Sequence, residues 1–148
     1  MIQKRAGFTV VELLIVMIVG SVLATIVSQS LGAYMRRRAL DDSRAAVFHM
    51  AARARALGID RGMATLDIDP ARDTVTLVQG GDTLEVLDIA ADYGADLIGD
   101  AAISICYSSR GYALSACTSF GANQTLELEF QGETVGLVVR PLGQLEVL

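Results

Sequence analysis

The feature that most constrains this chain is an apolar run close to its N-terminus. Lys4, Arg5, Ala6 and Gly7 lead into Phe8, Thr9, Val10, Val11, Glu12, Leu13, Leu14, Ile15, Val16, Met17, Ile18, Val19 and Gly20, and the run stays largely apolar to Val27. About twenty helical residues at about 1.5 Å rise each span about 30 Å, the hydrocarbon thickness of a bilayer. The run therefore predicts a membrane-crossing helix. Glu12 is its one charge. A carboxylate inside such a helix costs roughly 2.5–3.5 kcal/mol on insertion scales, so Glu12 needs a partner and a purpose. A free N-terminal amine attracts a carboxylate strongly once water is excluded. The amine of a neighbouring copy can reach Glu12 where its own chain's, held along the same helix, cannot easily do so. A conventional secretory signal fits poorly, because the run is long and no small-x-small site ends it.

Beyond this run the chain of 148 residues has room for one further domain. Past Gly58 the bases are Arg61, Arg72, Arg110 and Arg140, against fourteen acids, so that part carries about −10. Such a surface repels nucleic acid and anionic membranes, and nucleic acid is disfavoured as a partner. Lys4 and Arg5 on one side of the span are nearly balanced by Arg36, Arg37 and Arg38 on the other, so charge alone does not orient it. The three arginines suit lipid headgroups or the acids of a neighbouring subunit.

The helix should outlast the membrane. Residues 33–57 hold no Pro and no Gly, and Leu40, Val47, Ala51, Ala54 and Gly58 fall on one helical stripe. The expectation is one helix over about 8–57, roughly 75 Å long, with Gly58 as its stop. After Gly58 the pattern turns to alternation, predicting strands at 65–69, 74–78, 83–89, 103–107, 125–130, 135–139 and 144–147. Turns at Pro70, at Gly80 and Gly81, and at Gly132 separate several of them. The fold class is α+β: a long N-terminal α-helix, transmembrane in its first half, packed on a small antiparallel β-rich C-terminal domain. Alternating acids form the solvated side of the sheet.

Gly7, Phe8, Thr9, Val10, Val11 and Glu12 resemble the processing site of type IV pilins and pseudopilins. The resemblance implies that a prepilin peptidase cuts between Gly7 and Phe8 and methylates the new N-terminal Phe8. Glu12, then the fifth mature residue, helps dock the subunit into a helical filament. It divides the chain into a leader (1–7), a transmembrane and filament-core helix (8–34), an amphipathic second half (35–58) and a periplasmic β-rich domain (59–148). It also sets the N-terminus in the cytoplasm, with a single pass through the bacterial inner membrane. The implied partners are other pilin or pseudopilin subunits, the prepilin peptidase, an inner-membrane assembly platform and membrane lipid. The helix-breaking proline common near the twenty-second mature residue is absent; Gln29 stands there, among the weaker interruptions Ser28, Ser30 and Gly32.

The far end of the chain narrows the branch. Tyr107, Gly111 and Ala113 are similar to the aromatic-x-x-x-Gly-x-Ala turn of GspH/FimT-type minor pseudopilins, and Pro141, Leu142 and Gly143 to that family's closing turn. These motifs imply a minor pseudopilin of a type II secretion pseudopilus, contributing to protein secretion. The alternatives are a minor type IV pilus subunit, FimT-like and serving pilus assembly or DNA uptake, and a membrane-anchored binding domain outside any filament. The DNA-binding branch is basic after the closing turn, where this chain has Gln144 and Glu146.

Other chemistry finds little footing. Cys106 and Cys117, the only cysteines, cannot close a four-ligand zinc site with His49 as the only histidine. In an oxidising periplasm they suit a disulfide, and otherwise two buried thiols. Asp67, Asp69 and Asp73 bracket a turn, and Asp92, Asp96 and Asp100 form a looser set, but neither has the spacing of a calcium loop. No metal and no cofactor is expected. No Ser or Cys has a base arranged beside it, so no enzyme is expected either.

Overall fold

Helix α1 (Val10–Arg61) runs for 52 residues without a break. A computed structural model describes residues 9–148, with residues 28–30 described by backbone alone. Two compact units divide the chain, Met1–Met35 and Arg36–Leu148, and α1 contributes to both. In the described part of the first unit, every large apolar side chain between residues 10 and 27 is more than half exposed. The helix is long and apolar enough to cross a membrane.

In the second unit α1 becomes one wall of a core. Leu40, Ser43, Val47, Met50, Ala51, Ala54 and Gly58 are buried, at the steps of three and four that keep one helical face inward. The buried Ser43 hydroxyl donates to the Leu40 carbonyl at 2.9 Å, so it enters the core satisfied.

The stop differs from the sequence expectation. Gly58 lies inside α1, and the helix ends at Arg61 before Gly62, whose φ of 101° takes the left-handed conformation. Gly58 serves close packing instead. A Cβ there would lie 2.9 Å from the Tyr107 carbonyl oxygen and 3.0 Å from the Tyr107 Cβ.

Two four-stranded antiparallel sheets complete the unit. The first holds β1 (Ala64–Asp69), β2 (Thr74–Gln79), β3 (Asp82–Asp88) and β5 (Ile103–Tyr107) in the order β3-β2-β1-β5. The second holds β4 (Asp96–Ile98), β6 (Gln124–Phe130), β7 (Glu133–Val139) and β8 (Leu145–Val147) in the order β4-β6-β7-β8. Register follows burial: Leu66 stands opposite both Leu77 and Ile105, and Leu126 opposite Leu137. These residues, with Ile68, Val75, Leu128 and Val139, share one hydrophobic cluster with the buried face of α1. The β2–β3 and β6–β7 turns place Gly80 and Gly81, and Gln131 and Gly132, at positive φ. Two such residues in a row make the hairpin turn whose twist suits the strands.

Helix α2 (Ile89–Tyr93) and β4 were not anticipated. The expected strand at 83–89 ends one residue early, because the Asp88 side chain caps α2 by accepting from the Ala91 N–H at 2.9 Å. Gly94, at φ 69°, closes the helix after five residues.

Candidate assembly site

The head of α1 is a reciprocal cap. The Glu12 N–H donates to Thr9 Oγ1 at 3.3 Å, while Glu12 Oε2 accepts from the Thr9 N–H at 3.0 Å and from its hydroxyl at 3.1 Å. Thr9, Val10, Val11 and Glu12 are thus a Thr-x-x-Glu capping box, which satisfies backbone donors the first turn leaves without partners. The partner expected for Glu12 was the amine of another chain, whereas Thr9 stands three residues away. The signal was there in the spacing of Thr9 and Glu12. A carboxylate held in the first turn also complements the positive end of the helix dipole. Gly7 and Phe8, expected to carry cleavage and methylation, lie outside the described residues.

The arginine run opens the second unit. Arg36 pairs with Glu133 at 3.3 Å and Arg38 with Asp42 at 3.5 Å, while Arg37 forms no ion pair with a described residue. Pairs this exposed contribute little stability.

At 107–113 and 141–143 the structure joins two stretches that the sequence showed only as separate turns. The buried Tyr107 hydroxyl donates to the Gly143 carbonyl at 2.7 Å, and the Ala113 N–H donates to the Leu142 carbonyl at 3.0 Å. Gly143 has φ 80°, and a Cβ there would sit 2.8 Å from the Tyr107 ring and 3.1 Å from the Ala113 Cβ. Tyr107, Ala113 and Gly143 are therefore packing requirements of the two motifs: a ring, a methyl, a missing Cβ. Burial pushes the Tyr107 hydroxyl up to about 12, with the charge of Arg55 acting in the opposite sense. This clasp leaves Ser108 and Ser109 in a tight turn. The Ser108 hydroxyl donates to the Tyr112 carbonyl at 2.9 Å and accepts the Arg110 N–H at 3.3 Å.

Cys106 on β5 and Cys117 in the following loop have Cα atoms 5.8 Å apart, within the span of a disulfide. That loop lies along the outer edge of β5. The Leu114 N–H donates to the Cys106 carbonyl at 2.8 Å and the Ser119 N–H to the Ser104 carbonyl at 3.0 Å.

Residues 2–28 match the family model described as the prokaryotic N-terminal methylation motif. The fold is similar to the crystal structure of the type IV minor pilin FimU of Pseudomonas aeruginosa, with a TM-score of 0.55 and 11% identity. The likeness covers 78% of this chain and 92% of that one. No curated protein sequence matches this chain. The fold is pilin-like, and the N-terminal residues match a methylation motif of prokaryotes.

In the pilin-like domain the acids have local work. Asp67 accepts from the Ser104 hydroxyl, and Asp69 Oδ1 accepts from the Ala71 N–H at 3.0 Å. Asp73, at φ 54°, accepts the Leu97 N–H on its side chain at 2.7 Å and the Ile89 N–H on its carbonyl at 2.8 Å. It ties the β1–β2 turn to α2 and to β4, which joins the first sheet to the second. Asp92, Asp96 and Asp100 are exposed. Among the described residues no three His, Cys, Asp or Glu side chains gather closely enough to hold a metal ion. His49 is exposed on α1, in a shallow groove with Asp42, Glu85 and Tyr93.

Proposed function

We propose that this chain is a minor subunit of a type IV pilin-like filament. It is anchored by residues 8–34 as a single pass in the bacterial inner membrane, N-terminus cytoplasmic, with residues 59–148 in the periplasm. Residues 1–7 are the leader, cut after Gly7 by a prepilin peptidase that then methylates Phe8. Residues 35–58 continue the helix into the domain. The observation that carries this reading is the composition of the first described turns of α1: a capped carboxylate at the head of a helix whose large apolar side chains are all exposed up to Val27. A lone anchor needs the apolar residues, and Thr9 alone can cap its first turn without a charge in the span. In a filament core the same side chains pack against neighbouring helices, and Glu12 meets a neighbour's N-terminal amine. The partners are other pilin or pseudopilin subunits and an inner-membrane assembly platform. Cys106 and Cys117 are bridged in the exported domain.

The finer reading is a minor pseudopilin of a type II secretion pseudopilus, on the likeness of the clasp turns to the GspH/FimT type. One observation favours a second reading, a minor subunit of a type IV pilus: the fold likeness to a structure titled as a type IV minor pilin. Deletion of the gene separates the two. Loss of exoprotein secretion with pili intact supports the first, and loss of surface pili with secretion intact the second. Mass spectrometry of the membrane-extracted protein tests the common ground. The expected N-terminus is methylated Phe8, and an intact Met1 excludes both readings.

A further inference from the structure

The clasp uses only part of its residues for packing. Tyr107, Gly111, Ala113 and Gly143 are buried, while Arg110, Tyr112 and Leu142 among them are exposed. Gly111 lies against α1: a Cβ there would be 2.8 Å from Ile59 Cδ1 and 3.1 Å from Arg55 Nε. The side chains of Arg55 and Ile59 therefore flank the same turn. The Arg110 guanidinium donates to the Tyr112 hydroxyl oxygen at 3.2 Å, and Leu142 is held alongside by its carbonyl's bond to Ala113.

Two properties set this patch apart. Ile59, Tyr112 and Leu142 are 53%, 39% and 59% exposed, an apolar group around two guanidinium groups. Arg53, Arg61, Arg72 and Arg140 each pair with a carboxylate, whereas Arg55 and Arg110 form no ion pair with a described residue. Beside a stretch with fourteen acids past Gly58, two cations flanking one turn with no ion pair to a described residue stand out. Tyr and Arg are enriched at interface cores and among the residues that carry most binding energy.

We propose that Arg55, Ile59, Arg110, Tyr112 and Leu142 form the surface by which this domain docks onto an acidic, partly apolar face of a neighbouring pilin-like subunit. Charge complementarity selects the occupant. A carboxylate-bearing face relieves the repulsion between the two cations and steers the approach. A nucleic acid would meet the same cations but be repelled by the rest of the domain. The domain itself shows what such a face looks like. On strand β3, Asp82 and Asp88 flank Leu84 and Val86, which are 46% and 57% exposed.

The proposal rests on the filament reading, and the experiment separates the two. Full-length protein is expressed in its own cells with a photo-crosslinking phenylalanine analogue at Tyr112, and at exposed Asp92 as control. The expected result is an adduct at 112 and not at 92. Mass spectrometry should identify it as a pilin-like subunit, linked through a segment bearing Asp or Glu. Arg55→Glu with Arg110→Glu should reduce the adduct at least tenfold, while Arg55→Lys with Arg110→Lys, which keeps the charge, should retain at least half. No adduct, or one indifferent to charge reversal, overturns the proposal. So does binding of a 30-base-pair DNA duplex by the detergent-solubilised protein that the Glu pair abolishes. Glu12→Val serves as the reference for assembly. If it incorporates normally, the filament reading itself fails. If it is excluded while the Glu pair incorporates like wild type, only the docking surface fails.

Discussion

Between residues 10 and 27, α1 exposes every large apolar side chain, whereas from Leu40 to Gly58 it hides one narrow face and wets the rest. The same helix thus follows two rules in two solvents. In water only the stripe that meets a core can be apolar, and the second half obeys this with small residues such as Ala51 and Ala54. In lipid, or against other apolar helices, no face must be polar, and packing rather than hydrophobicity decides what touches what. The difference separates stability from assembly. Substitutions in the second unit should be read in unfolding experiments, and those in the first in incorporation experiments.

The sharpest way to break that division is a matched pair of truncations. Leu66, fully buried between Leu77 and Ile105, should cost about 3–4 kcal/mol as Leu66→Ala. Leu14→Ala on the exposed run should leave unfolding of the domain unchanged. Urea titration of the full-length protein in detergent, followed by tyrosine circular dichroism, reads both. A comparable loss from Leu14→Ala would mean that the two units do not behave independently.

Next in size is the bridge. Replacing Cys106 and Cys117 together by Ser should lower domain stability by about 3 kcal/mol on the loop-entropy model and leave membrane extraction as before. Alkylation before and after reduction checks the premise. The protein purified without reductant should take up no label until reduced, and then two equivalents.

The clasp offers a pH test confined to the second unit. Tyr107 is buried and its folded-state value stands at about 12, above the ordinary phenol value near 10. Between these values the unfolded chain releases the proton and the folded chain keeps it, so stability falls as pH rises from about 10 to about 12. The loss approaches about 2–3 kcal/mol. Tyr107→Phe should flatten this window. It should also lower stability by about 1–2 kcal/mol at neutral pH, since the buried Gly143 carbonyl loses its donor.

Much of this was legible in the chain, and the gaps have more than one cause. The strands announced themselves by alternation because each has one face on the core, and Leu40, Val47, Ala51 and Ala54 by their helical spacing. The rest depends on contacts distant in sequence, on elements too short for a period, or on local caps. Residues 89–98 hold a five-residue helix and a three-residue strand, too short for periodicity, organised by the Asp88 cap and by Asp73 reaching Leu97. The two C-terminal motifs read as independent turns because only the folded chain brings Gly143 onto Tyr107. At Glu12 the missed partner was local. A charge in an apolar run implies a partner from elsewhere, yet the Thr-x-x-Glu spacing already supplies one.

The smallest effect is the most discriminating, because it sets two glycines of one helix against each other. Replacing a helical Gly by Ala ordinarily stabilises by up to about 1 kcal/mol, through the entropy the unfolded chain loses. At Gly20 nothing stands within 4 Å of the added carbon, so that gain should survive undiminished in the helix of the isolated subunit. At Gly58 the new Cβ would meet the Tyr107 carbonyl oxygen at 2.9 Å and the Ser108 carbonyl oxygen at 3.1 Å. Both are backbone atoms that cannot rotate away. Overpacking of this kind costs about 1–3 kcal/mol, which outweighs the helix gain and leaves Gly58→Ala less stable by about 1 kcal/mol. The same methyl group should therefore act with opposite signs at the two positions. Equal stabilisation at both would return Gly58 to the role first read from the sequence, a residue chosen for where the helix ends rather than for what it touches.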